Sequence, residues 1–342
     1  MPKKDAPTMK DIAEALHVST GLVSYVLNGR GDEMRISKDM QRQVQQKAQE
    51  LHYHANIYAK RIRQQSAYLP SFSFFWPYQS NAELLNAIFE GIHNLQRMHT
   101  ADFDMMLQLY DKHQLFQYER FLQGNRSNGA MIFSMAANDW DYIEENQFPI
   151  PLALLNHYSS RHHCAYVDPK KCMEQTVSLM RQAGYDTIGL LCGMTQYNHR
   201  LQTELLRQYC AQAGIHILQS SFDVRPLNEF GGIEAVRSML HENQLPPRLL
   251  LSFSTRMARG AQYALYQLGF RCPQDVHFLV MTNLFQRSDP TLAAWSTIQF
   301  PIDQMSGWCI QQLLQAGQSA QPEAREFSAE WLLHDSFYQF RG

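Results

Sequence analysis

A stripe of small polar side chains near the amino terminus offers hydrogen-bonding chemistry on one helical face. Gly21, Ser24, Tyr25 and Asn28 stand at positions i, i+3, i+4 and i+7, and Thr20 lies at the amino-terminal edge of the stripe. A helix that enters the DNA major groove needs such donors and acceptors with little bulk. An ordinary solvated helix face has the same pattern, so the spacing alone leaves both interpretations open.

Three short helices are predicted around this stripe. Thr8 and Asp11 form a capping-box-like start for the first helix, and Ser19 is a favourable N-cap for the second. The three residues between these two helices are typical of a helix-turn-helix. Turn residues at 28–32 predict a loop, after which Ser37 caps a third helix.

The charge of the chain is unevenly distributed. The 342 residues include 30 Lys and Arg against 32 Asp and Glu, for a net charge of −2. Residues 1–65 carry eleven basic against seven acidic side chains, whereas the remainder carries nineteen against twenty-five. A basic head on an acidic body indicates that nucleic-acid contact is confined to one end of the chain.

The rest of the chain alternates apolar strands with helical segments. Six strands are predicted: SFSFFW, GAMIFSM, PLALLN, TIGLLC, RLLLSFS and VHFLVMT. Helices are predicted at 82–98, 171–183, 201–213, 230–241 and 257–268. This alternation is typical of an α/β fold with parallel sheets and crossover helices, and its length favours two sub-domains.

The order and spacing of residues 9–63 resemble the DNA-binding head of the LacI/GalR family of bacterial transcription regulators. The matching segments are MKDIA (9–13), HVS (17–19), VSYVLN (23–28), IS (36–37) and ELHY (50–53), followed by Asn56. The resemblance resolves the ambiguity of the polar stripe in favour of DNA binding.

The resemblance implies roles in DNA binding for individual side chains of the head. Phosphate or sugar contacts are implied for Thr8, Ser19, Asn28 and Tyr53, base contacts for Thr20, Gly21 and Tyr25, and the same surface includes Ser24 and Ser37. The family often has Arg at the place of Tyr25 and a larger polar residue at that of Gly21. Because Tyr25 cannot bind guanine through two donors, the operator is expected to differ from the usual family sequence. The loop 28–35 is longer than usual, and Arg30 and Arg35 are expected to add phosphate contacts.

Residues 56–63 resemble the hinge helix of the family, which folds only on DNA. The residues that the resemblance assigns to DNA are Asn56, Ala59, Ile62 and Arg63, with Ile62 as the side chain that wedges a base step in the minor groove. A merely solvated basic linker is the alternative interpretation. The expected domains are a head at 1–55, a hinge and linker at 56–70, and a body at 71–342.

The body resembles the two-lobed, periplasmic-binding-protein-like core of the same family. One lobe is expected at 71–164 and 294–327 and the other at 165–293 and 328–340, with passages near 165–168, 293–297 and 327–329. The effector site implied by position comprises Trp76, Tyr78, Asn156, Arg200, Ser254 and Asn283. Sugar-binding members often have acidic or Asn/Asp residues at the last two places, so Ser254 weakens a simple-sugar assignment. Core packing is the alternative for the two aromatic residues.

Other chemistries find little support in the sequence. His162, His163 and Cys164 are adjacent but have no further ligand at metal spacing. Arg161, His162 and His163 are interpreted as part of a solvated loop. Residues 189–193 lack the glycine pattern of a phosphate loop. We therefore expect no metal, no cofactor and no enzymatic activity. The six cysteines are expected to be reduced and mostly buried. Neither a signal peptide nor a membrane span of about 18 apolar residues is found, which predicts a cytoplasmic protein.

The sequence thus predicts a homodimeric, sequence-specific DNA-binding regulator, most simply a repressor. Its expected partners are a double-stranded, pseudo-palindromic operator and a small-molecule effector, with a carbohydrate as one candidate. The first alternative is a solute-binding protein of a transport system, which would share the two-lobed core but not the helix-turn-helix. The second is a nucleotide-dependent α/β enzyme, against which the missing phosphate loop argues.

Overall fold

The computed structural model describes residues 8–27, 30–51, 69–78, 80, 82–98, 102–124, 126–192, 197–218, 227–243, 245–282, 294–316 and 321–338. The chain divides into two compact units, Met1–Tyr68 with Gln123–Ser127 and Leu69–Leu122 with Asn128–Gly342. We call the described residues 8–51 the head and the second unit the body, and treat each by itself.

Three helices form the head: α1 (Met9–Ala15), α2 (Thr20–Leu27) and α3 (Lys38–Glu50). They pack around a small apolar core made of Ile12, Ala13, Val23, Val26, Val44 and Ala48. These residues recur at helical spacing, so each helix buries one side and exposes the other. The predicted three-helix arrangement is confirmed.

The body contains twelve described strands and eight described helices. The strands are β1 (Ser71–Pro77), β2 (Asp104–Tyr110), β3 (Gly129–Phe133), β4 (Leu152–Leu155), β5 (His163–Val167), β6 (Thr187–Leu191), β7 (His216–Leu218), β8 (Leu249–Ser252), β9 (His277–Thr282), β10 (Ser296–Gln299), β11 (Ala324–Phe327) and β12 (Glu330–Leu332). The helices are α4 (Ala82–Met98), α5 (Glu119–Leu122), α6 (Ala137–Glu145), α7 (Pro169–Gln182), α8 (Tyr197–Ala213), α9 (Glu229–Asn243), α10 (Thr255–Gln267) and α11 (Ile302–Gln315).

The strands form two six-stranded sheets, which confirms the predicted α/β class. The first sheet has the order β11-β5-β4-β3-β1-β2 and the second the order β12-β10-β9-β8-β6-β7. The described strand pairs are parallel, apart from the antiparallel pair of β10 and β12. All residues of β1, β3, β4, β8 and β9 are buried, as expected for parallel strands covered by helices on both faces. All six predicted strands are present.

The chain passes between the sheets at places that differ in part from the expected ones. β5 lies in the first sheet, and α7 begins directly after Asp168 and packs on α8. The expected return near 293–297 is wrong, because Ser296–Gln299 pairs with β9 in the second sheet. The chain returns after Gln299, since α11 packs on α4 and on strands β4 and β5 of the first sheet.

Two pairs of body helices approach closely at glycines. A Cβ atom added at Gly260 in α10 would overlap the carbonyl oxygen of Glu229 in α9, and one at Gly232 would overlap that of Met257. The same relation holds between Gly91 in α4 and the carbonyl oxygen of Asp303 in α11. These contacts require the absence of a side chain, so the glycines set the distance between the helices.

The interpretation of residues 161–163 as a solvated loop is wrong for His163, whereas Arg161 is exposed and His162 half-buried in the bend before β5. His163 and Cys164 are buried in β5, between β4 and β11. The His163 Nδ1 atom accepts a hydrogen bond of 3.1 Å from the backbone N–H of Glu323. The adjacent histidines hid a strand in which every residue except the half-buried Tyr166 is buried.

Candidate functional site

The helices of the head begin at side-chain caps that fix their start points. The Asp11 carboxylate accepts hydrogen bonds from the backbone N–H and the hydroxyl of Thr8, at 2.6 and 2.7 Å, and these bonds lower the pKa of Asp11. The hydroxyl oxygen of Ser19 accepts from the N–H of Leu22 at 3.1 Å, and that of Ser37 from the N–H of Met40 at 3.3 Å. The Ser19 cap sets the start of α2, and the apolar side that carries Val23 and Val26 determines which side of the helix points outward.

One side of α2 is exposed and polar. Thr20, Gly21 and Tyr25 are exposed and Ser24 is half-buried, whereas Val23 and Val26, which lie on the same helix, are buried. A Cβ atom at Gly21 would meet only the Ser19 hydroxyl, at 3.8 Å. The described members of the predicted base-contacting set therefore lie on one accessible surface, with room above Gly21.

Several residues assigned to DNA binding lie outside the described part of the chain. They are Asn28, Tyr53, Asn56, Ala59, Ile62 and Arg63. Their roles in DNA binding stay predictions that follow from the family resemblance. Three further residues of the predicted DNA-binding surface are described: Thr8, Ser19 and Ser37. They are exposed and lie at the amino-terminal ends of the three helices.

A cavity of about 470 Å³ lies in the body, where the chain first passes from one sheet to the other. We call it the cleft. It is lined by Trp140, Asn156, His157, Tyr158, Tyr166, Val167, Asp168, Pro169, Lys170, Leu201 and Gln202. α6 and the carboxyl ends of β4 and β5 contribute from the first sheet, and α8 contributes from the second. Ligands of open α/β sheets bind at this end of the strands.

Asn156 is held at the end of β4 in a left-handed backbone conformation, with φ of 59°. Its backbone N–H donates to the carbonyl oxygen of Ala165 at 2.7 Å. Its Oδ1 atom accepts a long hydrogen bond of 3.5 Å from the N–H of Val167. Asparagine tolerates this conformation better than most residues, so the backbone bends here while an amide is kept in the cleft.

Aromatic rings and one carboxylate shape the rest of the cleft. Tyr158 and Tyr166 meet edge to face with ring centroids 5.0 Å apart. His157 is buried, and burial lowers its pKa to about 4, so the imidazole is neutral at pH 7. Asp168 caps α7 by accepting hydrogen bonds from the backbone N–H groups of Lys170 and Lys171. The cleft combines apolar ring faces with amide and carboxylate groups.

Asn156 is the one member of the predicted effector set that lines the cleft among the described residues. The structure corrects the prediction that Trp76 binds the effector. Its indole is buried and stacks on the ring of Phe133, with ring centroids 5.4 Å apart and planes inclined by 12°. Tyr78 is 62% exposed at the end of β1. Core packing therefore explains Trp76 and not Tyr78.

The remaining predicted effector residues lie in other local environments. Arg200 is exposed in the first turn of α8 and not in a loop before it, since that helix begins at Tyr197. It directly precedes Leu201, which lines the cleft. The hydroxyl of Ser254 caps α10 by accepting from the N–H of Met257 at 3.3 Å. Asn283 lies outside the described residues.

Most of the residues that line the cleft were not predicted from the sequence. Tyr166 lies in β5, and Asp168 and Lys170 follow that strand, which was not predicted. Trp140 lies in α6, which was not predicted either. A usable signal was present at the residues directly after the strand PLALLN, because the ends of parallel strands carry ligand contacts. That rule points to His157 and Tyr158.

Metal ligands, membrane-spanning helices and cysteine thiols are the remaining features that bear on function. Within the described ranges, no three His, Cys, Asp or Glu side chains lie together as a metal site. No helix in the described part of the chain is long and apolar enough to cross a membrane. The six cysteines are free thiols, and burial raises the pKa of Cys172, Cys210 and Cys272 to about 12.

Comparisons with known proteins match both parts of the chain. Residues 8–56 match the model of the bacterial regulatory proteins of the lacI family, and residues 177–336 match that of a periplasmic binding protein-like domain. The probable HTH-type transcriptional repressor ExuR of Bacillus subtilis (strain 168) is 22% identical, over 96% of this chain and 98% of its own length. The sucrose operon repressor of Klebsiella pneumoniae is 45% identical over 56 residues, 16% of this chain and 17% of that protein.

The fold agrees with a solved structure of a DNA complex. The lac repressor dimer bound to operator and the anti-inducer ONPF has a TM-score of 0.66 at 17% identity, with 97% of this chain and 99% of that chain covered. A helix-turn-helix head followed by a two-sheet body with a cleft defines a DNA-binding transcription regulator. The head has the DNA-binding domain of the lacI family of bacterial regulatory proteins, and the body has a periplasmic binding protein-like domain.

Proposed function

We propose that the protein is a homodimeric repressor that binds a pseudo-palindromic operator and is controlled by a small molecule in the cleft. The observation that carries the DNA-binding part is the exposed face of α2, where Thr20, Gly21 and Tyr25 are accessible above a buried apolar side. Side chains placed in this way can reach base edges in the major groove. Two heads would occupy two half-sites.

Binding of the full-length protein to duplexes selected from a randomised library tests this proposal. We expect a preference of about 10³-fold or more over a scrambled duplex, and an affinity that falls steeply as salt increases. Tyr25→Ala should weaken binding to the selected duplex. Tyr338→Ala is the matched control, because Tyr338 lies in the body and is 39% exposed against 38% for Tyr25. Failure to enrich any sequence would contradict the proposal.

The relatives support repression. ExuR of B. subtilis and the sucrose operon repressor are both named as repressors, and the first aligns with nearly the whole chain. The proposed role contains no catalytic step. Because a bacterial operator lies in the cytoplasm, we place the protein there. A reporter gene behind the selected operator should be transcribed less when the protein is present, and activation instead would reverse the assignment.

For the cleft we propose a carbohydrate effector. Tyr158 and Tyr166 offer ring faces and edges, and the amides of Asn156 and Gln202 can bind hydroxyl groups from opposite sides. Asp168 supplies a carboxylate, a group that is absent at the predicted effector position Ser254. Thermal unfolding with neutral sugars, sugar acids and nucleosides identifies the class, since a ligand at 100 times its Kd stabilises by about 2.7 kcal/mol.

The effector would act on DNA binding through the geometry of the body. Residues from both sheets line the cleft, so a bound molecule can favour one arrangement of the sheets over another. A typical coupling of about 1–3 kcal/mol corresponds to several-fold to hundred-fold control. Operator titrations with and without the stabilising compound measure this coupling and its direction. An unchanged affinity would remove the regulatory part of the proposal.

The hinge segment 56–63, which lies outside the described residues, completes the proposed interface with DNA. Ile62 is the proposed wedge at the centre of the operator. Ile62→Gly should weaken binding to the selected duplex and reduce its bend. An unchanged bend angle in a circular-permutation assay would contradict the wedge role.

A further inference from the structure

The loop after α2 holds an arginine beside the exposed tyrosine of that helix. The Cζ atom of Arg30 lies 5.8 Å from the centroid of the Tyr25 ring, within the range of a cation–π contact. The backbone N–H of Arg30 also donates to the carbonyl oxygen of Tyr25 at 2.9 Å. The two residues are therefore linked through both backbone and side chain.

The rest of the loop is braced against α3, which keeps Arg30 in place. The Asp32 carboxylate accepts hydrogen bonds from the Lys38 ammonium at 2.7 Å and from the Gln41 amide at 2.8 Å. The same Gln41 amide donates to the carbonyl oxygen of Ile36 at 2.8 Å. Gly31 is buried against the Gln41 side chain. A braced loop loses little conformational entropy when its arginine binds a partner.

The acidic partner of Arg30 is weakly held. The Arg30 Nε–H donates to the Glu33 carboxylate at 2.8 Å, and the two side chains are 52% and 66% exposed. Exposed ion pairs of this kind contribute little to stability, because solvent and salt screen the two charges. The bond uses one of the five N–H donors of a guanidinium. Glu33 can therefore be exchanged for another acceptor at small cost.

We propose that Arg30 contacts the operator directly from beside Tyr25, and that Glu33 competes with the DNA for its guanidinium. The inference rests on the proposed DNA-binding function. Tyr25 stands on the exposed face of α2 and lacks a planar fork of donors, and Arg30 supplies such a fork at the same edge of the head. Its acceptor is a phosphate oxygen or a guanine edge, both of which a guanidinium binds through two hydrogen bonds.

The first test compares two arginines of the head in the full-length protein. Arg30→Gln should weaken binding to the selected duplex by about tenfold, which corresponds to about 1.4 kcal/mol. The control is Arg42→Gln, since Arg42 forms a similar exposed (i, i+3) pair with Asp39 in α3. The control loses the same charge and should weaken binding by less than about threefold, consistent with a surface substitution. Equal losses for the two variants would overturn the proposal.

The second test concerns Glu33. Glu33→Gln should tighten binding about threefold when Arg30 is present, because the guanidinium no longer has to leave a carboxylate. In the Arg30→Gln background the same change should have a smaller effect, since only general repulsion between Glu33 and DNA remains. Equal gains in both backgrounds would show that Glu33 does not compete for Arg30, and would contradict that part of the proposal.

The pattern of the Arg30→Gln loss distinguishes the two acceptors. A uniform loss across sequences, with the slope of log K against log salt reduced by about 0.9, indicates a phosphate contact. A loss restricted to duplexes with guanine at one position indicates a base contact. Either result supports direct contact. If the unmodified protein selects no duplex, the proposed function fails, whereas selection without an Arg30→Gln effect overturns this inference alone.

Discussion

The imidazole of His157 stacks on the indole of Trp140, with ring centroids 5.5 Å apart and planes inclined by 21°. The pair forms one wall of the cleft, to which α6 contributes Trp140 and the segment after β4 contributes His157. Burial lowers the pKa of His157 to about 4. The wall is therefore uncharged at neutral pH and can contact an uncharged ligand without bringing a buried cation near it.

The same histidine makes the body sensitive to acid. Above pH 6.5 both the folded and unfolded states carry a neutral imidazole, so the lowered pKa has no effect on stability. As pH falls from 6.5 towards 4, the unfolded state binds a proton that the folded state does not. At pH 5 this costs about 2 kcal/mol. His157→Phe keeps a ring against Trp140, so the difference in unfolding free energy between pH 7 and pH 5 should shrink by that amount. An unchanged difference would show that His157 does not titrate in this way.

Asn156 should separate ligand binding from backbone strain. Asn156→Gly removes the amide but suits the φ of 59°, so we expect near-normal thermal stability and loss of the ligand-induced shift in Tm. Asn156→Ala removes the amide and adds strain, and should also destabilise the body by about 1–2 kcal/mol. A normal ligand shift in the glycine variant would exclude Asn156 from effector binding.

The glycine contact between α9 and α10 predicts an unusually sensitive position. Gly260→Ala should destabilise the body by about 1–3 kcal/mol or more, because its methyl group would overlap the backbone of Glu229. Gly307→Ala in α11 is the control, since the nearest atom to its Cβ is 3.2 Å away. Gly307→Ala should lower the free energy of unfolding much less, because alanine has a higher helix propensity than glycine and this gain offsets part of the loss. Chemical denaturation measures both, and similar losses would contradict the packing argument.

The open surface above Gly21 predicts a change of sequence preference. Gly21→Gln should fold, because a Cβ there meets only Ser19 at 3.8 Å, and should introduce a side chain that binds adenine through two hydrogen bonds. Gly21→Ala adds bulk without this capacity and serves as the control. Selection from randomised duplexes should show a new preference at one position of each half-site for the glutamine variant alone. Identical preferences for both variants would indicate that Gly21 does not face bases.

Much of the fold followed from the sequence because buried parallel strands are apolar on both faces. The run SFSFFW became β1 and VHFLVMT became β9 with little shift in bounds. β5 and β11 were missed because the first begins near a pair of histidines and the second, AREF, is mostly exposed. The return of the chain to the first sheet was predicted too early, near 293–297, because β10 was not predicted.

The site was predictable where local signals position it. Caps at Ser19 and Ser37 together with apolar spacing located the exposed face of α2 from sequence alone. The cleft depends on which strand ends are neighbours, which is a property of tertiary structure. Trp76 therefore looked like a ligand contact although it packs on Phe133, and Asp168 was overlooked although it lines the cleft.

A footprint of the full-length protein on its selected duplex tests the central claim most directly. We predict two protected half-sites whose centres are about one helical turn apart, around 10 base pairs or a multiple, with one dimer bound. Protection should weaken as salt rises, and its extent should change when the compound that stabilises the body is added. Protection that does not depend on sequence, even at low salt, would contradict the assignment of this chain as an operator-binding regulator.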